Sequence, residues 1–374
     1  MSYFVSIFAS NINLYKHELY KTLIYKLIKS MRKNFLFFAL LANVLLFAVS
    51  CSSSENEIIQ TEEKASISIK LEGQDLGTRA TTAALPEENA VKNVSVYVFF
   101  SNGLLESSVT TSTIPANNEI AVDDLTTGGK KIAVVVNAPA GFPTSPILEY
   151  SDLEGELIDL DTQTTSTIGT NGLLMSGETT HTLTTGANTL NIPVYRVVAK
   201  IQLGSVTVAP VTGQTGTFTL TSVHIMKAKS TATVGVPSIL TSGDLYGGVN
   251  LTSVDGKNIV SIYRDYLTKS ASVSDNNTAY FYVFPNDATG TDATLMTLEG
   301  TYNGETVYFP FVINDSHTGD GTYIVRNTFH KVNVVINKPA AGATHPEEFV
   351  DPATLTVTIE PQDWETVPEQ GVKW

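Results

Sequence analysis

Short apolar runs separated by turn residues recur along the chain from about residue 65 onward. Residues 95–100 (SVYVFF), 131–136 (KIAVVV) and 280–284 (YFYVF) are rich in β-branched and aromatic side chains. Glycine-containing turn signals such as Asn102-Gly103 lie between such runs. Runs of this length and composition, bounded in this way, are typical of β-strands. The pattern therefore predicts an all-β chain.

The clearest local signal is a hairpin at residues 302–309. Asn303-Gly304 suits the two-residue type I′ turn, and residues 306–309 (TVYF) form the predicted returning strand. Helical periodicity is scarce, and residues 146–159 are the stretch most compatible with one short helix or turn. Regular short strands with this punctuation indicate β-sandwiches.

A change in composition near residue 190 indicates a domain boundary. Residues 162–191 are rich in Thr, Gly and Asn, whereas residues 194–203 (VYRVVAKIQL) open a new strand pattern. We therefore predict an N-terminal sandwich over residues 80–192 and a C-terminal sandwich over residues 193–352. Both sizes are ordinary for single domains.

The single cysteine of the chain ends an export signal. From Met31 the sequence has a basic start, an apolar run over residues 35–49 and small residues before Cys51. This arrangement is typical of a signal peptide, and the run is shorter than the ~20 residues that span a bilayer. A cysteine at the cut predicts a bacterial lipoprotein with lipid on Cys51, although Ala48 replaces the usual leucine. A short membrane anchor with a chance cysteine is the alternative.

Residues 1–30 precede this signal and fit no export logic. A start codon assigned too early explains them best, so we take residues 31–50 as the signal peptide and set residues 1–30 aside.

The charge distribution argues against nucleic acid as a partner. Up to Arg79 the chain has 9 basic and 7 acidic residues. Subtracting these from the 23 basic and 37 acidic residues of the whole chain leaves 14 and 30, a net charge of −16. So acidic a surface repels phosphate backbones. Without a second cysteine no intramolecular disulfide can form, so burial and strand pairing must stabilise the fold.

Candidate catalytic and metal-binding residues form no recognisable motif. The histidines have neither HxH nor HxxxH spacing: they are His17, His181, His224, His317, His330 and His345. No G-x-S-x-G motif and no phosphate-binding glycine loop occurs. We therefore expect no enzyme activity, no metal site and no cofactor, with a structural role for His330. Arg196 and Lys200, four residues apart in a strand pattern, are expected to form a solvated stripe on one face.

Several segments together resemble the fimbrillins of the Bacteroidales, which are FimA- and Mfa-type subunits of major fimbriae. Besides the lipoprotein signal, these are residues 130–140 (KKIAVVVNAPA), 174–178 (LMSGE), 194–203 (VYRVVAKIQL), 326–337 (RNTFHKVNVVIN) and 353–374 (ATLTVTIEPQDWETVPEQGVKW). Their order and their positions relative to Cys51 make the set specific. The resemblance implies two tandem transthyretin-like β-sandwich domains.

The resemblance also implies a maturation step. Fimbrillins are exported as lipoproteins and then cut after an arginine by a surface protease, which removes an N-terminal strand. Here Arg79 precedes Ala80 in a stretch of small residues, where an exposed, extended backbone would suit an arginine-specific protease. Residues 51–79 would then be the propeptide. Without the resemblance, Arg79 would be an ordinary loop arginine.

The strand that would be removed is visible in the pattern of residues 65–71. Ile67, Ile69 and Leu71 alternate with polar side chains. This period predicts a half-buried edge strand, which would fill a groove of its own domain until it is cut away.

A second candidate strand lies in residues 353–374. Its apolar positions are Leu355, Val357, Ile359, Trp364, Val367, Val372 and Trp374. The first three support a strand of the second domain nearly as well as a donor strand, whereas the positions from Trp364 onward favour a partner. In the mechanism that the resemblance implies, this segment would fill the open groove of the next copy. A head-to-tail homopolymer would result.

The sequence thus favours a lipid-anchored outer-membrane precursor that matures into a shaft subunit of an adhesive surface fimbrium. Its expected partners are copies of itself and accessory fimbrial subunits. An accessory tip or anchor fimbrillin is the alternative within the family. A surface glycan-binding lipoprotein is the alternative from another class, with Tyr263, Tyr266 and Tyr280 as its aromatic candidates.

Overall fold

Strands make up most of the described chain. The computed structural model describes residues 63–72, 81–82, 85–113, 119–209, 212–213, 216–235, 245–246, 249–250, 262–263, 267–273, 279–287, 292–313 and 324–364. All of them belong to the compact unit from Glu62 to Trp374. The helices described are short: α1 is Tyr150–Glu154 and α2 is Ile168–Asn171, and 3-10 turns occupy Pro86–Glu88, Leu160–Gln163, Pro339–Ala341 and Pro352–Thr354.

The strands are numbered in chain order. They are β1 Lys64–Glu72, β2 Thr81–Thr82, β3 Val94–Phe100, β4 Leu105–Thr111, β5 Glu119–Thr126, β6 Gly128–Val136, β7 Leu157–Asp159, β8 Met175–Leu183, β9 Gly186–Pro193, β10 Tyr195–Arg196, β11 Ala199–Val208, β12 Phe218–Met226, β13 Thr231–Thr233, β14 Val249–Asn250, β15 Ile262–Tyr263, β16 Leu267–Ser270, β17 Tyr280–Val283, β18 Leu295–Tyr302, β19 Glu305–Val312, β20 Thr328–Ile336 and β21 Leu355–Trp364.

The first sandwich has a three-stranded sheet, β5-β1-β9, and a five-stranded sheet, β10-β8-β6-β3-β4. A core of aliphatic side chains from both sheets lies between them. β3 is apolar on both faces because each face is covered. Val96 and Val98 belong to the first core, whereas Tyr97 and Phe99 belong to the core that continues into the second sandwich.

The second sandwich pairs the sheet β17-β11-β20-β21-β2 with the sheet β16-β12-β18-β19. Its core includes Leu203, Val223, Leu298, Phe309 and Val332. Two short ladders lie outside these sheets. One joins β7 to β13 and the other joins β14 to β15.

The prediction of an all-β chain built from sandwiches is confirmed. The hairpin between β18 and β19 is also confirmed, since Asn303 and Gly304 have φ angles of 52° and 88°, as a type I′ turn requires. α1 lies inside the stretch predicted to hold a short helix.

Sheet membership does not follow the domain limits expected at residues 80, 192 and 352. β1 is part of the first sandwich, although it precedes residue 80, and β2 joins the second sandwich at the edge of β21. β10 pairs with β8 of the first sandwich, and β21 pairs with β20 of the second. Strand pairing joins residues far apart in the chain, so changes in local composition do not mark these exchanges.

Candidate functional site

The expected maturation depends on β1, which is paired along both edges and buried on one face. It runs antiparallel to β5 and parallel to β9, so that both of its edges are paired. Ile67, Ile69 and Leu71 are 1%, 0% and 7% exposed, on the predicted inward face. The prediction of an edge strand is wrong, because β1 is the central strand of its sheet. Without β1, β5 and β9 would lose their common partner and the core would lose its cover.

The outer face of β1 is basic and binds acidic side chains of β5. Lys64 Nζ lies 2.7 Å from Asp124 Oδ1, and Lys70 Nζ lies 3.3 Å from Glu119 Oε1. Ser68 Oγ donates a hydrogen bond of 2.7 Å to Glu119 Oε2. The Ser68 hydroxyl and then Lys70 lower the pKa of Glu119, and Lys64 lowers the pKa of Asp124. The groove that β1 fills lies between β5 and β9, and its β5 rim is therefore negatively charged.

The other rim holds the β1 backbone through Asn188 of β9. The Asn188 side-chain amide donates to the carbonyl oxygen of Ser66 at 3.1 Å and also to the carbonyls of Thr184 and Gly186. It thereby shapes the turn before β9 and anchors β1 to it. No residue-type pattern in the sequence distinguished Asn188 from the other asparagines of that stretch.

The predicted processing position lies between strands of different sheets. Arg79 and Ala80 lie outside the described residues, as does Cys51. β1 ends at Glu72 in the first sandwich, and β2 begins at Thr81, pairing in parallel with β21. A cut after Arg79 would therefore leave β1 held by pairing and burial alone, while β2 stays with the second sandwich.

The structure places residues 355–364 in the chain's own second sandwich. β21 pairs antiparallel with β20 from Leu355 to Asp363, and Trp364 lies opposite Thr82 of β2. Leu355, Val357 and Ile359 are half-buried on that sheet, in agreement with the second-domain strand that was one of the two expectations.

For Trp364 the expectation of a partner molecule is wrong. Its side chain is 2% exposed, inside its own chain, because the indole fills a polar and aromatic pocket behind β21. Val367, Val372 and Trp374 lie outside the described residues.

A buried carboxylate, Glu88, organises the pocket around Trp364. Glu88 Oε1 accepts hydrogen bonds from Lys200 Nζ at 2.7 Å and from the Tyr282 hydroxyl at 2.6 Å. Glu88 Oε2 accepts from Trp364 Nε1 at 3.2 Å and from the Leu85 backbone N–H at 2.7 Å. Burial and the Glu88 carboxylate raise the pKa of Tyr282, so its hydroxyl remains a donor.

Arg196 closes the same pocket. Its Nε donates to the Glu88 carbonyl oxygen at 3.2 Å, and its guanidinium carbon lies 4.5 Å from the Trp364 ring. The opposite face of the pocket is formed by Tyr282, whose ring stacks on Trp364 at 5.8 Å with an angle of 7°. Arg196 and Lys200 are 0% and 3% exposed, so the predicted solvated stripe is wrong. Glu88 and neighbouring polar groups compensate both cations inside the protein.

We name this pocket the Glu88 pocket; it consists of Glu88, Arg196, Lys200, Tyr282 and Trp364. It brings Glu88, which lies shortly after β2, into contact with Trp364, the last residue of β21. The segment that follows the predicted cut is fixed to the end of β21 and to the second sandwich. Sequence reasoning missed Glu88, because Pro86-Glu87-Glu88 has the composition of an ordinary exposed turn.

Other candidate residues have structural surroundings. His330 is 2% exposed and lies 3.0 Å from the Thr328 hydroxyl. In the described ranges, no group of three or more His, Cys, Asp or Glu side chains could hold a metal ion. In the same ranges, no helix is long and apolar enough to cross a membrane.

The aromatic residues considered for glycan binding form no platform among the described side chains. Tyr280 is half-buried, packs edge-on against Tyr282 at 5.8 Å and has Lys200 Nζ 4.6 Å from its ring. Tyr266 and the side chain of Tyr263 lie outside the described part of the chain.

Tandem β-sandwiches with a buried strand ahead of the loop that leads into the second one define a class of two-domain β-sandwich proteins. The model of the major fimbrial subunit protein (FimA) family matches residues 65–264, more than half of the 374-residue chain. The chain therefore belongs to the FimA major fimbrial subunit family, and the resemblance drawn from the sequence is confirmed. No curated protein matches the chain.

Solved structures share the fold. A candidate cell adhesion protein from Bacteroides eggerthii DSM 20697 has 23% identity and a TM-score of 0.62, covering 81% of this chain and 96% of its own. A candidate cell adhesion protein from Parabacteroides distasonis ATCC 8503 has 20% identity and a TM-score of 0.61, covering 81% of this chain and 100% of its own. A fimbrilin (FimA) from Porphyromonas gingivalis W83 has 17% identity and a TM-score of 0.55, covering 83% of this chain and 99% of its own. At these identities the likeness establishes the β-sandwich fold.

Membership of this family makes the protein a fimbrial subunit. It implies a place in a cell-surface fimbrium and assembly with other fimbrial subunits.

Proposed function

We propose that this protein is a shaft subunit that polymerises by strand exchange after proteolysis at Arg79. The observation that carries the proposal is the position of β1, a central and buried strand of the first sandwich. The covalent link from β1 to β2 and the rest of the subunit runs through residues 73–80, which contain Arg79. Cutting that connection converts an intramolecular strand into a replaceable one.

The energetics favour replacement of β1 over its simple loss. Burying Ile67, Ile69 and Leu71 contributes about 5–9 kcal/mol, at ~1.5–3 kcal/mol for each side chain. Paired backbone groups add roughly 1 kcal/mol for each hydrogen bond. After cleavage β1 therefore remains bound until another strand offers comparable burial and pairing, which is β-strand addition in trans.

We assign the donor role to residues 365–374. Residues 355–363 already pair with β20, and Trp364 is held in the Glu88 pocket. Val367, Val372 and Trp374 supply the apolar side chains that follow this strand. Because donor and groove are on different parts of the subunit, the contact is head-to-tail and builds a filament.

Lipid would hold the precursor at the surface until it is processed. We propose that Cys51 carries the lipid and anchors the precursor in the outer membrane. An arginine-specific protease that cuts after Arg79 would then separate the subunit from its anchor as it frees β1 for exchange. An anchor subunit would instead retain β1, and a tip subunit would need no donor segment.

The test is the variant Arg79→Ala. The wild-type surface form should begin at Ala80 and form filaments, whereas the variant should remain monomeric because β1 keeps its place. As a matched rescue, the recognition sequence of an unrelated protease is placed at residues 73–79 in the variant. Adding that protease should restore polymerisation. Filaments whose subunits still begin at Cys51 would refute the proposal.

A further inference from the structure

β1 is bound partly by charge, and this charge pattern specifies what can replace it. Lys70 is the residue directly opposite Glu119 on β5, and both side chains lie on the outer face. Lys64, which lies opposite Thr126, forms a second ion pair with Asp124 further along the strand. An incoming strand therefore meets an acidic rim at the positions where β1 has lysines.

The chain contains one further segment with the matching pattern after β21. Val372-Lys373-Trp374 repeats the apolar–lysine–apolar order of Ile69-Lys70-Leu71. Lys373 is the single basic residue among residues 365–374. When Lys373 is aligned with Lys70, residues 367–374 cover the positions from Lys64 to Leu71, which are eight of the nine residues of β1.

We propose that Lys373 sets the register of strand exchange by pairing with Glu119 of the neighbouring subunit. Val372 and Trp374 then occupy the places of Ile69 and Leu71, and the donor runs in the direction of β1. This inference rests on the proposed strand exchange and adds to it the residue pair that selects the register.

Two other donor positions, Pro368 and Gln370, provide a second test of the register. Pro368 falls on the position of Ala65, next to the irregularity in β1–β5 pairing between Ala65 and Ile67. Proline cannot donate a ladder hydrogen bond, and it is tolerated at such irregularities because the ladder is interrupted there. Gln370 falls on the position of Ile67, which is 1% exposed in an apolar core. Gln370 therefore weakens the donor, and an apolar residue there should strengthen it.

The experiment measures binding of a fluorescent peptide of residues 365–374 to the full chain after cleavage at Arg79. The wild-type peptide should displace β1 and form a stable complex. The Lys373→Glu peptide should bind about three- to tenfold more weakly, as expected for reversing one exposed ion pair. The Gln370→Ile peptide should bind roughly tenfold more tightly, because no amide is buried in the core.

A charge exchange supplies the decisive control. On a Glu119→Lys chain the order should reverse, so that the Lys373→Glu peptide binds better than the wild-type peptide. Asp123→Lys makes the same charge change on an exposed residue of the same strand, away from the Lys373 position, and should not reverse the order. In 0.5 M salt the difference between the peptides should shrink, since exposed pairs are screened.

The outcomes separate the two proposals. A wild-type peptide that binds, without reversal on the Glu119→Lys chain or with no gain from Gln370→Ile, overturns the register and leaves strand exchange standing. A wild-type peptide that fails to displace β1 overturns exchange through residues 365–374, and the register with it.

Discussion

At the residue scale, one buried carboxylate connects several distant parts of the chain. Glu88 accepts from Lys200, Tyr282, Trp364 and the Leu85 backbone, so its loss would leave a buried lysine without its counter-charge. Breaking a buried ion pair from one side typically costs about 3–5 kcal/mol. We expect Glu88→Ala to lower the free energy of unfolding by that amount, as measured by urea denaturation.

The neighbouring Glu87→Ala is the matched control, because Glu87 is only partly buried and should cost less than about 1 kcal/mol. Combining Glu88→Ala with Lys200→Met should recover part of the loss, since the unpaired charge is removed as well. If Glu88→Ala and Glu87→Ala lose the same stability, the Glu88 pocket does not stabilise the fold as described.

The same residues show how far the sequence could be used at this scale. Ile67, Ile69 and Leu71 were placed on a buried face correctly, because alternation is a local property of a strand. Lys200 was placed in solvent incorrectly, because its partner Glu88 lies 112 residues away. No local pattern signals that a surface-type residue will be neutralised by so distant a partner.

At the element scale, periodicity predicted strands well and their neighbours poorly. It identified β1 and β21 as half-buried strands, but it placed β1 at an edge and Trp364 in a partner molecule. A period of two specifies which face is buried, whereas the number of paired edges depends on the other strands of the sheet. The position of β1 between β5 and β9 follows from pairing across more than 100 residues of sequence.

β1 should be released faster in acid once it has been cut. Its lysines pair with Glu119 and Asp124. The Ser68 hydroxyl and then Lys70 lower the pKa of Glu119, and Lys64 lowers the pKa of Asp124. The attraction is therefore fully present above the ordinary carboxyl pKa values of about 4, and it is lost as the pH falls through the lowered values. With residues 365–374 deleted, so that no donor competes, residues 52–79 should dissociate faster at pH 3 than at pH 7.

Size-exclusion chromatography of the cleaved chain measures this release. Glu119→Gln combined with Asp124→Asn should release β1 faster at pH 7 and should remove most of the pH dependence. An equal or slower rate of release at pH 3 in the unaltered chain would contradict a role of these pairs in holding β1.

At the scale of the whole molecule, the two sandwiches differ in what maturation does to them. The first loses its central β1, whereas the second retains both β21 and its edge strand β2, which begins two residues after the proposed cut. The Glu88 pocket then holds the new N-terminal segment against the second sandwich. A mature subunit would thus combine one incomplete sandwich with one complete sandwich, which is the asymmetry that head-to-tail growth requires.

Two truncations of different length test this asymmetry. Deleting residues 365–374 should leave the subunit folded with an unchanged unfolding midpoint, because the deletion keeps every described core residue up to Trp364. Polymerisation after cleavage should nevertheless fail, since no donor strand remains. Deleting residues 355–374 should in addition destabilise the second sandwich severely, because β20 keeps β11 but loses β21, and the Glu88 pocket loses Trp364. Circular dichroism on heating and electron microscopy of the cleaved proteins measure the two effects. Filaments formed by the variant that lacks residues 365–374 would show that these residues are not the donor. If the variant that lacks residues 355–374 is as stable as the full chain, β21 is itself free to leave and act as the donor.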